Sequence, residues 1–231
     1  VAEDRQRQVI PYVKIKNREG QVTEYWLKDT AVKPEQLNTM EQRRMDCIDC
    51  HNRPTHIYVP PDRSVDRALL AGHIDPKVPF AKLQAVEALT QEYKSTNDAV
   101  AGIAKRMADY YQATYPAVYA SNKAGIDKSI AATQDIYRTT IFPEMGVDWR
   151  THPDNVGHFY SVGCFRCHDD QHVSKDGKVI TKDCNACHTV ITQKESGNVM
   201  ASAPAADFQH PVELGELREY VCKDCHTGGP Q

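Results

Sequence analysis

The pattern Cys-x-x-Cys-His occurs four times in this sequence and uses all eight of its cysteines. Two cysteines at this spacing can each form a thioether with a vinyl group of haem, and the histidine that follows can bind the iron. A single copy could be half of a zinc site, but four copies that leave no cysteine over indicate four covalently attached c-type haems. The cysteine pairs are Cys47 and Cys50, Cys164 and Cys167, Cys184 and Cys187, and Cys222 and Cys225, and the predicted proximal iron ligands are His51, His168, His188 and His226.

The composition agrees with a chain whose cofactors contribute part of the apolar surface of its core. Only 40% of the 231 residues are hydrophobic and 8% are aromatic, a small supply for a core of this size. Flat porphyrins would add apolar surface that leaves water on folding. The formal net charge is −3 before the haem propionates are counted. Binding to a phosphate backbone requires clustered cations, so nucleic acid is not an expected partner.

Covalent haem attachment takes place outside the cytoplasmic membrane, so we expect a periplasmic or extracellular protein of a bacterium or archaeon. Residues 1–7 lack the basic start and apolar centre of a signal peptide. No stretch approaches the roughly 18 apolar residues that a membrane span needs. We therefore expect either a mature chain or a soluble piece of a longer one. The whole protein would be soluble, or anchored through an N-terminal segment that is missing here.

The predicted fold is mostly α-helical, with little regular structure around the haems. We divide it into an N-terminal β-hairpin and first haem over 1–75, a haem-free helical lobe over 76–140 and a three-haem segment over 141–231. Apolar residues alternate on both sides of residues 17–20, which predicts the hairpin. Helical spacing predicts three helices in the lobe, separated by residues 94–98 and by Pro116. Pro60 and Pro61 predict a loop, and Asp176-Gly177 predicts the turn of a second small hairpin.

Six of the ten histidines remain after the proximal ligands are assigned. An electron-transfer haem needs two strong axial ligands, and a second imidazole is the usual choice in multihaem chains. Methionine is the alternative, but no Cys-x-x-Cys-His-x-Met sequence is present. Because His172 and His56 each closely follow a proximal histidine, we expect them to serve a neighbouring haem. The predicted distal ligands are His56, His158, His172 and His210, with His152 in reserve and His73 the weakest candidate.

Three segments resemble a known family: residues 45–56 (MDCIDCHNRPTH), 147–153 (VDWRTHP) and 163–169 (GCFRCHD). Together they resemble the C-terminal periplasmic portion of extended NapC/NirT-type multihaem cytochromes. The resemblance implies a relay from a quinol-oxidising membrane cytochrome to terminal acceptors. The family's N-terminal anchor and its haems near the quinol site are not matched, so quinol oxidation is not assigned to this chain. A looser resemblance is to extracellular tetrahaem cytochromes that assemble into filaments.

These features favour a non-enzymatic carrier that passes electrons between other redox proteins through successive bis-histidine haems. The alternative is a subunit that also self-associates into an extracellular filament. A third hypothesis is a reductase of nitrite or hydroxylamine, which needs one haem with an open iron position. The excess of histidines and the absence of a Cys-x-x-Cys-Lys sequence argue against this third hypothesis.

Overall fold

The computed structural model describes every residue except 51, 53–55, 196–197, 202–206, 211, 221 and 227–231. It is helix-rich, with a small three-stranded antiparallel sheet and much irregular chain, which confirms the predicted fold class. The strands are β1 Tyr12–Lys16, β2 Val22–Leu27, β3 His172–Ser174, β4 Gln193–Glu195 and β5 Asn198–Ala201. The α-helices are α1 Cys47–Cys50, α2 Pro61–Leu70, α3 Ala81–Leu89, α4 Thr96–Thr114, α5 Pro116–Ser121, α6 Lys123–Thr140 and α7 Cys222–His226.

The chain forms two compact units, each made of two separate stretches of sequence. Unit 1 comprises Val1–Met45 and Cys164–Val221, and unit 2 comprises Asp46–Gly163 and Cys222–Gln231. The second and third haem motifs therefore belong to unit 1, and the first and fourth belong to unit 2. The division into 1–75, 76–140 and 141–231 stays a prediction.

Unit 1 is built on the antiparallel sheet β1-β2-β3. The predicted N-terminal hairpin is present, with Tyr12 opposite Trp26 and a turn in which Asn17 and Gln21 exchange hydrogen bonds. The second predicted hairpin is present as well, because a bridge joins Val173 to Val179 across the Asp176-Gly177 turn. The sequence did not indicate that its first strand, β3, pairs with β2.

Unit 2 contains a helical core in which α4 and α6 are central. The buried residues of α4 are Ala99, Ile103, Met107 and Tyr111, which lie four residues apart and so form one stripe. The helix begins after Ser95, whose side chain accepts a hydrogen bond from the backbone N–H of Asp98 at 3.1 Å. These features agree with the helices that periodicity predicted for the lobe.

One prediction in this region is wrong. The prolines at 60 and 61 predict a loop, but Pro61 is the first residue of the ten-residue helix α2. Proline is favoured at the first helical position, because its fixed φ suits the helix and the N–H it lacks would have no partner there. The helix buries Val65 and Ala68 against α3 and α6.

The hydrophobic core is distributed unevenly along the chain. Of the buried hydrophobic side chains in the described residues, Tyr12 alone lies in unit 1, and all the others lie between Val65 and Ile141. Unit 2 therefore has a polypeptide core of ordinary kind. The described part of unit 1 buries few side chains, and these include the hydrogen-bonded polar groups of His172 and Ser174 beside Pro11 and Tyr12.

A buried carboxyl group stands at the start of α2. Asp62 is 3% exposed, and its Oδ1 accepts a hydrogen bond from the backbone N–H of Arg63 at 2.8 Å. Burial raises the pKa of Asp62 from 3.8 to about 6. The positive charge of nearby Lys82 lowers this pKa, but by less than burial raises it. Because the folded protein holds this proton more tightly than the unfolded chain, stability falls as the pH rises from about 3.8 to about 6.

We predict that Asp62→Asn stabilises the protein near neutral pH by up to about 3 kcal/mol, the free-energy equivalent of this pKa shift. The amide keeps the acceptor for Arg63 and cannot ionise. Urea unfolding followed by circular dichroism should show the gain at about pH 7.5 and almost none at about pH 4.

The matched control is Asp127→Asn, which removes an exposed carboxylate that pairs with Lys123 on α6. Its effect should stay within about 0.5 kcal/mol at both pH values. If Asp62→Asn raised the free energy of unfolding equally at both pH values, the raised pKa of Asp62 would be contradicted.

Candidate functional site

All four Cys-x-x-Cys sequences fold into a single helical turn. α1 covers the first pair and α7 covers the fourth pair with its histidine. In the second and third pairs, 3₁₀ turns at Gly163–Arg166 and Cys184–Ala186 contain the first cysteine, and the N–H of the second cysteine bonds back to its carbonyl. In the second motif the N–H of His168 donates to the carbonyl of Cys164 at 3.0 Å, and in the third His188 donates to Cys184 at 2.8 Å. A helical turn places side chains three and four residues apart on one face. In the three motifs whose histidine the structure describes, the local backbone therefore favours a common side for both thiols and the imidazole, as a c-type haem requires.

The eight cysteines are chemically available for thioether formation. All of them lie in the described part of the chain, and none is joined in a disulfide. Cys47, Cys184, Cys187 and Cys225 are exposed, and the other four are half-buried. Reduced and accessible thiols are the form that can add to a vinyl group, so the residues present fit covalently bound c-type haem.

The imidazole of His168 has the orientation expected of a proximal ligand. Its Nδ1 lies 2.9 Å from the carbonyl oxygen of Thr181, and this contact fixes Nδ1 as the protonated nitrogen. Ligating histidines usually donate their second ring N–H in this way, which leaves Nε2 for the metal. His210 differs, because its Nδ1 lies 3.0 Å from the carbonyl of Val212 and 3.3 Å from the backbone N–H of the same residue, so these contacts do not fix its tautomer.

The fourth motif lies against helices of unit 2. The carbonyl of His226 accepts a hydrogen bond from Nζ of Lys82 at 2.9 Å, and the ring of Phe159 lies 4.7 Å from the His226 ring. Lys82 also pairs with Asp66 at 2.8 Å, and Asp66 accepts from the hydroxyl of Tyr160 at 3.1 Å. The α2 and α3 helices thus anchor the last haem motif, although more than 130 residues of sequence separate them from it.

The first motif is only partly described, because its predicted proximal ligand His51 lies outside the described residues. Its helical turn is closed locally, since the backbone N–H of Asp46 donates to the carboxylate of Asp49 at 2.9 Å and that of Ile48 donates to Asp46 at 3.0 Å. Asp49 is 8% exposed, whereas Cys47 and Ile48 in the same turn are exposed. The turn therefore has one side against unit 2 and one side at the surface.

The spare histidines are divided between the two units. Unit 1 holds two haem motifs and the spare histidines His172 and His210. Unit 2 holds two haem motifs and His56, His73, His152 and His158. Each unit thus contains at least one candidate distal ligand for each of its haem motifs.

His172 is the most deeply buried of the described candidates. It is 1% exposed, with Nδ1 2.9 Å from Asp169 Oδ1 and Nε2 2.6 Å from the carbonyl of Ile10. Burial lowers the pKa of His172, but the contacts with Asp169 and Ile10 outweigh it and the net pKa is raised. For His172 to bind iron, its Nε2 must give up the hydrogen bond with the Ile10 carbonyl and bind the metal instead. Its role as a distal ligand stays a prediction.

The candidates of unit 2 differ in their surroundings. His56 and His152 are exposed and lie near Tyr58, with ring centroids 6.3 and 5.6 Å from the Tyr58 ring. His158 is half-buried, and its Nδ1 atom is fully buried. It lies in the loop 155–163, which is closed by a backbone approach between Gly157 and Gly163.

Sequence reasoning missed the residues that hold these motifs in place. Lys82, Asn52 and Asn155 all bond to haem-motif segments or to their neighbours, over separations of up to 144 residues. Asparagine and lysine are common on surfaces, and their spacing carries no periodic signal. Only the tertiary structure reveals their partners. Within the described residues, no helix combines the length and apolarity needed to cross a bilayer.

Comparison with known proteins agrees with this chemistry. Residues 158–230 match the cytochrome c3 family. Over its full length the chain is 44% identical to the cytochrome c-type protein ImcH of Geobacter sulfurreducens, and it spans 46% of the length of that relative. No solved structure is significantly similar. Both matches support a multihaem c-type cytochrome that binds haem iron and takes part in electron transfer.

The closed loop generates a stability prediction. Gly163 has φ +49°, and a Cβ there would lie 1.8 Å from the carbonyl oxygen of Gly157. Gly157 has φ +84°, but a Cβ at that residue would have no neighbouring atom within 4 Å. We predict that Gly163→Ala lowers the free energy of unfolding by about 3 kcal/mol or more, because it adds a steric clash to the left-handed backbone strain.

Gly157→Ala is the control in the same loop, because it introduces only the strain of a left-handed residue and should cost about 1 kcal/mol. Urea unfolding of both variants, followed by circular dichroism, measures the difference. If both variants lowered the free energy of unfolding by the same amount, the loop would have to open freely at Gly163.

Proposed function

We propose that this chain, whose relatives are c-type cytochromes, is a tetrahaem electron carrier in which each haem has two axial histidines. The observation that carries the proposal is the shared conformation of the four motifs. Each forms one helical turn, with its cysteines reduced and, in the second and third motifs, with the histidine N–H bonded to the first cysteine.

The proposed distal ligands are His172 and His210 in unit 1, and His56 and His158 in unit 2. This set supplies two spare histidines to the two haem motifs of each unit. His152 is the alternative in unit 2, since it lies near the same Tyr58 ring as His56. His210 belongs to the set because it and His172 are the spare histidines of unit 1.

Bound haem iron supplies one-electron chemistry, and the residues of this chain determine how that chemistry is used. Axial ligands, burial and hydrogen bonds to the proximal histidine set the potential of each haem. The Thr181 carbonyl on His168 is one such hydrogen bond, because it makes the imidazole a stronger donor to iron. The first, third and fourth motifs contain exposed cysteines, which favours a surface position for one edge of each haem attached there. Redox partners can exchange electrons at such exposed haem edges.

The proposed role is transfer between other redox proteins in the periplasm or outside the cell. This location follows from covalent haem attachment, which occurs outside the cytoplasmic membrane. The resemblance to NapC/NirT-type cytochromes supports a quinol-oxidising membrane cytochrome as the donor. The chain spans about half the length of its relative, so the comparison does not assign an electron-transfer pathway to this chain, and the pathway is part of the proposal.

We predict that all four haems are six-coordinate and low-spin in the oxidised protein. Electron paramagnetic resonance should show no high-spin ferric signal with the intensity of one haem. A pyridine haemochrome assay on the same sample should count four haems per chain, which ensures that the spectrum reports on the complete holoprotein.

A high-spin signal of one haem's intensity in a sample with four haems would overturn bis-histidine ligation. It would favour the reductase hypothesis, since an open iron position is what substrate binding needs. Fewer than four haems would overturn the tetrahaem assignment instead.

Self-association into a filament would add a second role to the same carrier. We predict that the holoprotein elutes as a monomer, with one 26.0 kDa polypeptide and its attached haems per particle, if every distal ligand comes from its own chain. Size-exclusion chromatography with light scattering measures this directly. A polymer that dissociates when a single distal histidine is replaced would show that this ligand crosses between subunits.

A further inference from the structure

The first haem motif of unit 2 is joined to a segment that lies about 100 residues later in the chain. Asn52, the residue after the predicted proximal ligand, donates from Nδ2 to the carbonyl of Pro153 at 2.9 Å. In return, its Oδ1 accepts a hydrogen bond from the backbone N–H of Asn155 at 2.7 Å. One side-chain amide thus bonds to two backbone groups, in the manner of a strand pairing. We call this arrangement the asparagine clamp.

A further contact makes the clamp reciprocal. The side chain of Asn155 is buried, and its Nδ2 lies 3.4 Å from the carbonyl of Asp49 within the motif itself. Asp49 is buried and bonded to Asp46, so the acceptor is held in position by the helical turn. Each of the two asparagines therefore contacts the backbone of the other segment. A buried amide with several partners is costly to disrupt, since the groups left behind would lack hydrogen bonds.

The clamped segment continues into the closed loop that carries His158. His158 lies three residues after Asn155, and the loop is shut where Gly163 approaches the carbonyls of Gly157 and Asn155. His158 is consequently fixed at both ends of its loop, with its Nδ1 atom buried. His152, on the other side of the clamp, is exposed and stacks on the Tyr58 ring at 5.6 Å.

From this geometry we propose that Asn52 and Asn155 are positioning residues for the first haem, and that they hold His158 as its distal ligand. The inference rests on the proposed bis-histidine function. A ligand tethered in this way has a high effective concentration at the iron, whereas a free loop would bind only part of the time. The clamp acts through His158 and touches no reacting atom.

The test uses the tetrahaem holoprotein and the variants Asn52→Ala and Asn52→Asp. Alanine removes both side-chain bonds of the clamp, whereas aspartate keeps the acceptor for Asn155 but places a carboxylate oxygen against the carbonyl of Pro153, which it repels. We expect both Asn52→Ala and Asn52→Asp to give a high-spin ferric signal of up to one haem's intensity. Added imidazole should restore the low-spin spectrum of Asn52→Ala at a concentration at least about tenfold below that needed to perturb the wild type.

Two further variants assign the effect. His158→Ala should give the same high-spin signal as Asn52→Ala, and combining the two changes should add nothing. In a Cys47→Ser/Cys50→Ser background, which lacks the first covalent attachment, Asn52→Ala should produce no new high-spin signal. Asn17→Ala is the control, because it removes a side chain that bonds within the exposed hairpin turn, and it should leave the spectrum unchanged.

The outcomes separate this inference from the proposed function. A wild type with four low-spin haems and an unchanged spectrum in Asn52→Ala overturns the clamp alone, even if the variant is less stable. A high-spin signal in His152→Ala but not in His158→Ala overturns the assignment of His158. If Asn52→Ala loses a haem, Asn52→Asp decides the question, since a fully low-spin Asn52→Asp with no change in imidazole affinity contradicts the proposal. A high-spin haem in the wild type overturns the proposed function itself.

Discussion

The single helical turn formed by each Cys-x-x-Cys pair is the constraint to which the rest of the structure adapts. Where the structure describes the following histidine, the turn favours one side of the backbone for two thiols and an imidazole, and this arrangement needs no distant partner. The hydrogen bonds from His168 to Cys164 and from His188 to Cys184 show that the geometry is local. Under the proposed function, the remaining chain brings a second axial ligand to each motif and covers the apolar faces of each haem.

The two units meet this requirement in different ways. Unit 2 contains a helical core of Val65 to Ile141, and the loops that leave this core approach the first and fourth motifs. Unit 1 has few buried apolar side chains in its described part, and its order depends on the β1-β2-β3 sheet and on contacts such as that of His172 with Ile10. Its second and third motifs lie in a region with little apolar surface of its own, so bound porphyrin is the natural substitute.

Local signals predicted the elements that depend on neighbouring residues. The N-terminal hairpin, the Asp176-Gly177 turn and the α4 and α6 helices all follow from alternation, turn residues or helical spacing. The α2 helix was missed because two prolines are equally typical of a loop and of a helix start. The pairing of β3 with β2 was missed because strands of three residues carry almost no periodic pattern.

The sequence by itself determined the chemistry of attachment, because thioether formation and proximal ligation depend on residue types within five consecutive positions. It also limited the histidine candidates for distal ligands to the six that follow no cysteine pair. Only the tertiary structure decided that the first and fourth motifs share a unit, and that Lys82 and the two asparagines hold them there. These contacts join residues about 100 or more positions apart, and no local pattern encodes which distant backbone group a lysine or asparagine will reach. Their partners are fixed by the packing of the helices, which is a property of the whole chain.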